Sequence, residues 1–139
     1  MGVSDRPLTS LCSTIVNVAL SPDEPASQVT RSRPVVLLKG SDTVVAEPAG
    51  RASVTENAPP WLATAGSGDV LAGVTAAALA RGVPAERAAA IAVVLHGAAG
   101  RVVAREHPGS LAGDLVDALD RARAELHAAV DALPQWRSG

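Results

Sequence analysis

Residues 64–73 place two closely spaced glycines beside one carboxylate, in the order Thr-Ala-Gly-Ser-Gly-Asp-Val-Leu-Ala-Gly. Gly66 and Gly68 allow the backbone to bend tightly and to bring bare N–H groups close to a ligand. A helix predicted to follow would direct its unpaired N–H donors and the positive end of its dipole toward the same place. Asp69 is the one ionisable residue at this junction.

This combination of anion-binding donors and a carboxylate suits phosphoryl transfer to a hydroxyl group. We predict that Gly66, Ser67 and Gly68 form an anion hole, and that Asp69 is the catalytic base that accepts the hydroxyl proton. A simpler interpretation, a glycine-rich turn with Asp69 as the helix N-cap, fits the same residues and stays open. The loop is not a Walker A loop, because no Lys-Ser or Lys-Thr follows it, and its glycine spacing differs from the dinucleotide fingerprint.

The elements that must hold this loop begin with strands. The apolar run Val35–Leu38 predicts a strand that is buried on both faces. Residues 43–46 and 52–55 predict a hairpin, since the Pro-Ala-Gly between them is typical of a turn. Residues 1–33, rich in Ser, Pro and Thr, are predicted to be irregular, with a short strand near Ile15 to Leu20.

Three helices are predicted to follow the strands. The first is ended by Gly82 and Pro84, and its predicted buried face is Val70, Val74, Ala77 and Ala78. The second runs from Pro84 to about Glu106, where residues 107–109, His-Pro-Gly, break the chain. Ser110 is predicted to cap the third helix, whose predicted buried stripe is Leu111, Leu115, Ala118, Leu119, Ala122 and Leu126.

Composition limits the class of protein. The chain has 139 residues, enough for one domain, and 47% of them are hydrophobic, so it can bury a core of mainly small aliphatic side chains. A net charge of −2 without a basic stripe argues against a nucleic-acid partner. The single cysteine, Cys12, excludes an internal disulfide and fits a reducing compartment. The longest apolar run, residues 88–95, is shorter than the roughly 18 residues of a membrane span, so a soluble, cytoplasmic protein is expected.

Four segments, in order, resemble those of the ADP/ATP-dependent NAD(P)H-hydrate dehydratase family. Leu62–Gly73 resembles the family's signature, and Leu37–Thr43 resembles its nucleotide-contacting segment. His96–Ala99 is similar to its helix motif, and Leu111–Leu115 to the start of its C-terminal helix. Together the four segments cover roughly residues 35–120.

The resemblance implies a partial ribokinase-like α/β fold, with strands and a hairpin followed by three helices. It implies that ADP or ATP phosphorylates the hydroxyl of NAD(P)H hydrate, and that loss of phosphate then restores NADH or NADPH. Asp69 would contact the hydrated dinucleotide, Mg²⁺ would bridge the phosphates, and no residue is predicted as a metal ligand. The nucleotide contacts would come from Lys39, Gly40, Ser41, Asp42, Thr43 and Gly68. The backbone of residues 66–69 should then lie next to residues 39–43.

The family's domain is considerably longer, and its N-terminal half supplies the first strands, much of the substrate pocket and a His-Pro-Gly motif. Residues 34–133 are expected to correspond to the C-terminal half, and nothing in residues 1–33 resembles the other half, so a truncated chain is expected. The His-Pro-Gly at 107–109 follows the signature where the family's motif precedes it, and we interpret it as a helix-breaking turn.

Two other functions stay open. A ribokinase-like small-alcohol kinase, of the hydroxymethylpyrimidine or hydroxyethylthiazole type, would use the same anion hole without elimination, and product analysis would distinguish it. A non-catalytic remnant would leave an edge strand and an apolar face uncovered, and would self-associate or bind a complementing chain.

Other residues with functional side chains receive plainer interpretations. Lys39, the only lysine, is predicted to bind phosphate. His96 and Trp61 are predicted to pack in the core, and Cys12 to be inert. Three aspartates spaced at i, i+3 and i+6 are predicted to lie on a solvated helix face: Asp114, Asp117 and Asp120.

Overall fold

The computed structural model describes residues 14–18, 34–40, 42–55, 58–106 and 111–132. The elements are β1 (Thr14–Val18), β2 (Val35–Lys39), β3 (Thr43–Ala46), β4 (Ala52–Thr55), a 3-10 turn (Pro60–Ala63), α1 (Ser67–Ala80), α2 (Ala85–Glu106) and α3 (Ala112–Asp131). The predicted order of strands followed by three helices is confirmed. So is the short strand predicted near residues 15–20, which lies at 14–18.

The four strands form one antiparallel sheet in the order β1-β2-β3-β4. A tight turn joins β2 to β3, in which Lys39 is paired with Thr43 and the N–H of Gly40 donates to the carbonyl of Asp42 at 2.9 Å. The predicted hairpin of β3 and β4 is confirmed, and Gly50 takes the positive φ of 87° that its turn requires.

Burial along β2 alternates, which corrects the prediction of a strand buried on both faces. Val35, Leu37 and Lys39 are buried, while Val36 and Leu38 are half-buried. The physical reason is the pairing: antiparallel sheets can carry a core on one face only, whereas the continuous apolar run suggested a parallel strand with both faces covered. Alternating side chains point to opposite faces, so Lys39 shares the core face with Leu37.

Two groups of small side chains make up the core. The first joins the sheet to α1 and α2 through Val35, Leu37, Val45, Leu71, Ala89, Ala92 and Val93. The second joins the 3-10 turn to α2 and α3 through Leu62, Ala98, Ala99, Val102, Val103, Leu115, Ala118 and Ala122. Trp61 packs at the edge of the second group, and its Nε1–H donates to the carbonyl of Gly100 at 3.2 Å.

Helix α1 ends as predicted but buries a different face. Gly82, with φ 78°, donates to the carbonyl of Leu79 at 2.8 Å, and Val83 donates to that of Ala78 at 3.2 Å. These two bonds form a Schellman motif. The buried residues are Ser67, Gly68, Leu71 and Thr75, whereas Val70, Val74 and Ala78 are half-buried and Ala77 is exposed. The apolar pattern missed this face because two of its members have hydroxyl groups, both satisfied by backbone carbonyls.

Helix α3 buries most of its predicted stripe. Leu115, Ala118 and Ala122 are buried, and Leu119 and Leu126 are half-buried. The prediction for Leu111 is wrong, because Leu111 is the N-cap residue and is 69% exposed. Its backbone N–H donates to Asp114 Oδ2 at 2.7 Å, so Asp114 serves as a helix cap, and the prediction of a merely solvated carboxylate is wrong. Ser110, the predicted cap, and the turn at 107–109 lie outside the described residues, as do Cys12 and Trp136.

Part of the surface of α2 and α3 is apolar and uncovered within the described residues. A groove of about 560 Å³, here called the α2/α3 groove, is lined by Ala90, Ile91, Val94, Leu95, Arg123, Leu126, His127 and Val130. By length and composition α2 is the one described helix that could cross a membrane, but 61% of its most apolar stretch is buried inside the fold. Packing against the rest of the domain therefore accounts for its apolar character.

The contact between Gly100 and Leu62 gives a stability prediction. A Cβ on Gly100 would lie 2.7 Å from Leu62 Cδ1 and 3.0 Å from its Cγ, and Leu62 is buried. We expect Gly100→Ala to lower the free energy of unfolding by about 1–3 kcal/mol through overpacking. Gly73→Ala is the matched control, because nothing lies within 4 Å of that position, and it should raise stability by about 0.5–1 kcal/mol. Urea unfolding measures both, and a Gly100→Ala variant as stable as the unmutated chain would contradict the close contact.

Candidate functional site

One backbone oxygen joins the end of β2 to the start of α1. The carbonyl of Leu62 accepts a hydrogen bond from Lys39 Nζ at 2.6 Å and a second from the hydroxyl of Ser67. Lys39 is only 6% exposed, and Ser67 is fully buried. Lys39 and Ser67 therefore meet at one oxygen, whereas contact between residues 39–43 and the backbone of residues 66–69 stays a prediction. Lys39, however, points into the fold and holds a backbone carbonyl.

The 3-10 turn that carries Leu62 is fixed from several sides. Trp61 is tied to α2 through the carbonyl of Gly100, and the Leu62 side chain lies against the same glycine. Thr64 closes the end of the turn, because its N–H donates to the Trp61 carbonyl at 3.0 Å and its hydroxyl donates to the same oxygen at 2.5 Å. The glycine-rich loop thus starts from a rigid support.

Gly66 is required at the head of α1 for two reasons. It is the N-cap residue with a φ of 87°, a conformation that side chains disfavour. A Cβ there would also lie 3.0 Å from the Cβ of Ala112, the first residue of α3. The N-terminal ends of α1 and α3 therefore lie side by side, and both direct the positive end of a helix dipole toward this region.

Two of the three predicted anion-hole residues keep an available backbone donor. The N–H of Ser67 is 3.3 Å from the carbonyl of Thr64, and the N–H of Asp69 is 3.1 Å from that of Gly66. The N–H groups of Gly66 and Gly68 donate to no acceptor among the described residues. Since the Ser67 hydroxyl is also engaged, the arrangement offers Gly66 and Gly68 as the donors for an anion.

Asp69 lies in the first turn of α1 and is exposed. The N-cap is Gly66, so the simpler interpretation of Asp69 as the N-cap is wrong. Within the described part of the chain its carboxylate makes no hydrogen bond and no ion pair. The segment thus combines an unbonded carboxylate with unpaired backbone N–H donors, the two kinds of group that proton transfer to a base beside a phosphate requires.

His96 is buried, as predicted, but it also contacts the glycine loop, which the sequence did not indicate. The ring is 4% exposed, and its Nε2 lies 2.9 Å from the carbonyl of Ser67. Because a carbonyl only accepts, the proton must be on Nε2. Burial lowers the pKa of His96, the bond to Ser67 raises it, and the Lys39 charge lowers it further. The similarity of residues 96–99 to a family motif was the only signal that could have indicated a role.

The other residues predicted to contact a nucleotide surround the β2–β3 turn. Gly40 is half-buried, Asp42 is exposed, and Ser41 lies outside the described residues. Thr43 is buried, and it borders a cavity of about 110 Å³, here called the hairpin cavity, lined also by Thr55, Ala58, Val93, Val94, His96, Gly97 and Arg101. Arg101, which the sequence did not indicate, lines the same cavity, and its Nη1 would lie 3.6 Å from a Cβ placed on Gly97.

Metal binding has little support from the described side chains themselves. No group of three or more His, Cys, Asp or Glu residues among them is placed to hold a metal ion. Mg²⁺ commonly uses only one or two carboxylates and takes its remaining ligands from phosphates and water.

Sequence comparisons relate the chain to known proteins. The profile of the family described as NAD(P)H-hydrate dehydratase matches residues 8–121. A bifunctional NAD(P)H-hydrate repair enzyme of Moorella thermoacetica is 46% identical over 87 residues, which are 61% of this chain and 16% of that protein. The ADP-dependent (S)-NAD(P)H-hydrate dehydratase of Neisseria meningitidis is 49% identical over 78 residues, which are 56% of this chain and 26% of that protein. A bifunctional NAD(P)H-hydrate repair enzyme of Mycobacterium leprae is 43% identical over 98 residues, 70% of this chain and 20% of that protein. The match thus spans about a quarter or less of the length of these relatives.

Proposed function

The chain belongs to the NAD(P)H-hydrate dehydratase family, and we propose that it provides the phosphoryl-transfer site of such a lyase, which repairs hydrated NAD(P)H. One observation supports this most strongly: Asp69 is exposed in the first turn of α1, and the N–H groups of Gly66 and Gly68 in the same segment have no acceptor among the described residues. We propose a ribokinase-like arrangement in which residues 34–133 form the C-terminal part, and a cytoplasmic location.

In the proposed reaction, Asp69 accepts the proton of the hydroxyl on the hydrated ring while that oxygen takes a phosphoryl group from the nucleotide. The donors at Gly66 and Gly68 stabilise the charge on the transferred phosphoryl group, together with the positive end of the α1 dipole. Loss of phosphate from one ring carbon and of a proton from its neighbour, which leaves to solvent, then restores the double bond. Mg²⁺, where bound by the phosphates, would neutralise part of their charge, while Asp69 stays free to accept the proton.

The nucleotide would lie along the β2–β3 turn and contact Gly40, Asp42 and Thr43, with Ser41, outside the described residues, as a further expected contact. Lys39, at the start of this turn, bonds the carbonyl of Leu62 in the 3-10 turn that precedes the glycine loop. Lys39 would act mainly by fixing the Leu62 turn and by its positive charge, because its ammonium group is buried. The Neisseria meningitidis relative is named as ADP-dependent, which supports ADP as one donor. ATP is the alternative that an assay must compare.

The first test concerns Asp69, in a chimera that carries the matched residues of this chain within the Neisseria meningitidis dehydratase. Asp69→Asn should keep the nucleotide Kd within about twofold and lower kcat by about 10²–10⁴-fold, because an amide preserves shape but accepts no proton. Asp117→Asn, at an exposed position of α3, is the control and should leave kcat unchanged. An Asp69→Asn chimera with near-full turnover would remove Asp69 from the mechanism.

The cavity that adjoins the candidate nucleotide contacts is too small for a dinucleotide. The hairpin cavity measures about 110 Å³, whereas pockets for larger ligands measure about 300–1,000 Å³. A cavity of this size would not orient a dinucleotide, and orientation contributes about 7–11 kcal/mol to lowering a barrier. The uncovered α2/α3 groove favours a second proposal. The chain would then function only when it associates with a second copy of itself or with a complementing chain.

We therefore expect the isolated 139-residue chain to show no appreciable dehydration of NADH hydrate with ADP or ATP and Mg²⁺, and to self-associate in light scattering. Val94→Glu, within the α2/α3 groove, should reduce self-association, while Val54→Glu, exposed on β4 outside it, should not. Robust turnover by a monodisperse monomer would contradict both expectations. Phosphorylation of a small alcohol without elimination would instead indicate a kinase.

A further inference from the structure

His96 makes the one side-chain hydrogen bond from α2 to α1 within the described residues. It bridges 29 positions of sequence to reach the carbonyl of Ser67, the first residue of α1. Ser67 is thereby held at two atoms from two directions, since its hydroxyl is bound to Leu62. No step of the proposed reaction uses this contact.

The bonded carbonyl and the Gly68 donor belong to the same rigid unit. A peptide bond is planar, so the carbonyl of Ser67 and the N–H of Gly68 lie in one plane and point in opposite directions. A donor that fixes the carbonyl of Ser67 therefore also fixes the direction of the Gly68 N–H. Hydrogen bonding at the carbonyl further polarises the peptide unit and strengthens the donor on its other side.

We propose that His96 is a positioning residue that aims the Gly68 N–H at a nucleotide phosphate by holding the carbonyl of Ser67. This inference rests on the proposed function, in which that N–H belongs to the anion hole. The Ser67–Gly68 peptide unit is the first of α1 and directly follows Gly66 with its φ of 87°, so a restraint on the Ser67 carbonyl from outside α1 adds to those of the helix itself. His96 supplies it from a buried position on a different helix.

The surroundings of His96 favour its neutral, Nε2-protonated form. The charge of Lys39 on β2 lowers the pKa of His96, and Arg101 on α2 lines the hairpin cavity together with His96. Asp69 on α1 is exposed and has no bond to the ring. A neutral ring with its proton on Nε2 satisfies Ser67 without placing a further positive charge beside Lys39.

The test uses the isolated chain, with ADP as the probe. NMR should show His96 protonated at Nε2, and the Gly68 N–H should have the order parameter of rigid backbone, about 0.85. In His96→Leu that order parameter should fall, and the Kd for ADP should rise about tenfold, as for loss of one charge-assisted hydrogen bond. His96→Gln, which keeps an N–H near the position of Nε2, should restore both to within about twofold, whereas the shorter His96→Asn should not.

A purely structural role would give a different result. Ala118→Gly, in the buried face of α3, lowers stability away from the loop and should leave the ADP affinity unchanged. An Nδ1-protonated His96, or a Gly68 N–H as rigid in His96→Leu as in the unmutated chain, would overturn the proposal. If His96→Leu does not fold, the comparison of His96→Gln with His96→Asn decides. Equal order parameters of the Gly68 N–H in those two variants would also overturn the proposal. If the unmutated chain binds no ADP, the proposed function loses its nucleotide site, while the Gly68 measurements still decide the role of His96.

Discussion

The carbonyl of Leu62 is the acceptor on which the rest of the site depends. It takes the ammonium of Lys39 and the hydroxyl of Ser67 at once, and so connects β2, the 3-10 turn and α1. A buried ammonium is costly unless it is hydrogen-bonded, and this oxygen provides such a partner. Because both donors are buried, neither can exchange this oxygen for water without opening the core. The glycine loop therefore starts from a point that the sheet itself fixes.

The rest of the site depends on glycines at which neighbouring elements approach closely. Because Gly100 lacks a side chain, Leu62 can pack against it, and because Gly66 lacks one, the first residue of α3 can lie close to it. These contacts bring two helix N-termini together and leave the Gly66 and Gly68 donors without acceptors in the described part of the chain. The proposed chemistry follows from that arrangement, because unpaired donors at a helix N-terminus attract a phosphate and the exposed Asp69 supplies the base.

The sequence predicted the elements well where local chemistry decides them, as at the β3–β4 hairpin and the Gly82 stop of α1. It failed where tertiary contacts decide. An apolar run cannot show whether one face or two will be covered, so β2 was misassigned, and hydroxyl residues that bond backbone carbonyls hid the buried face of α1. The Asp69 loop was found because glycines and a carboxylate have a local signature. Lys39 points inward to bond Leu62, 23 positions away, and His96 bonds Ser67, 29 positions away. A local sequence pattern does not extend over such separations, so it cannot predict these contacts.

A double-mutant cycle on Lys39→Met and Ser67→Ala tests the shared acceptor most directly. After either single change Leu62 keeps one of these donors, whereas after both it loses the pair, which for a buried carbonyl costs about 1–3 kcal/mol. The loss in free energy of unfolding should therefore be about 1 kcal/mol larger in the double variant than the sum of the losses in the two single variants. Lys39→Met combined with Thr75→Val, whose hydroxyl bonds Leu71 instead, should be additive. Additive effects of Lys39→Met and Ser67→Ala, within about 0.3–0.5 kcal/mol, would contradict the account.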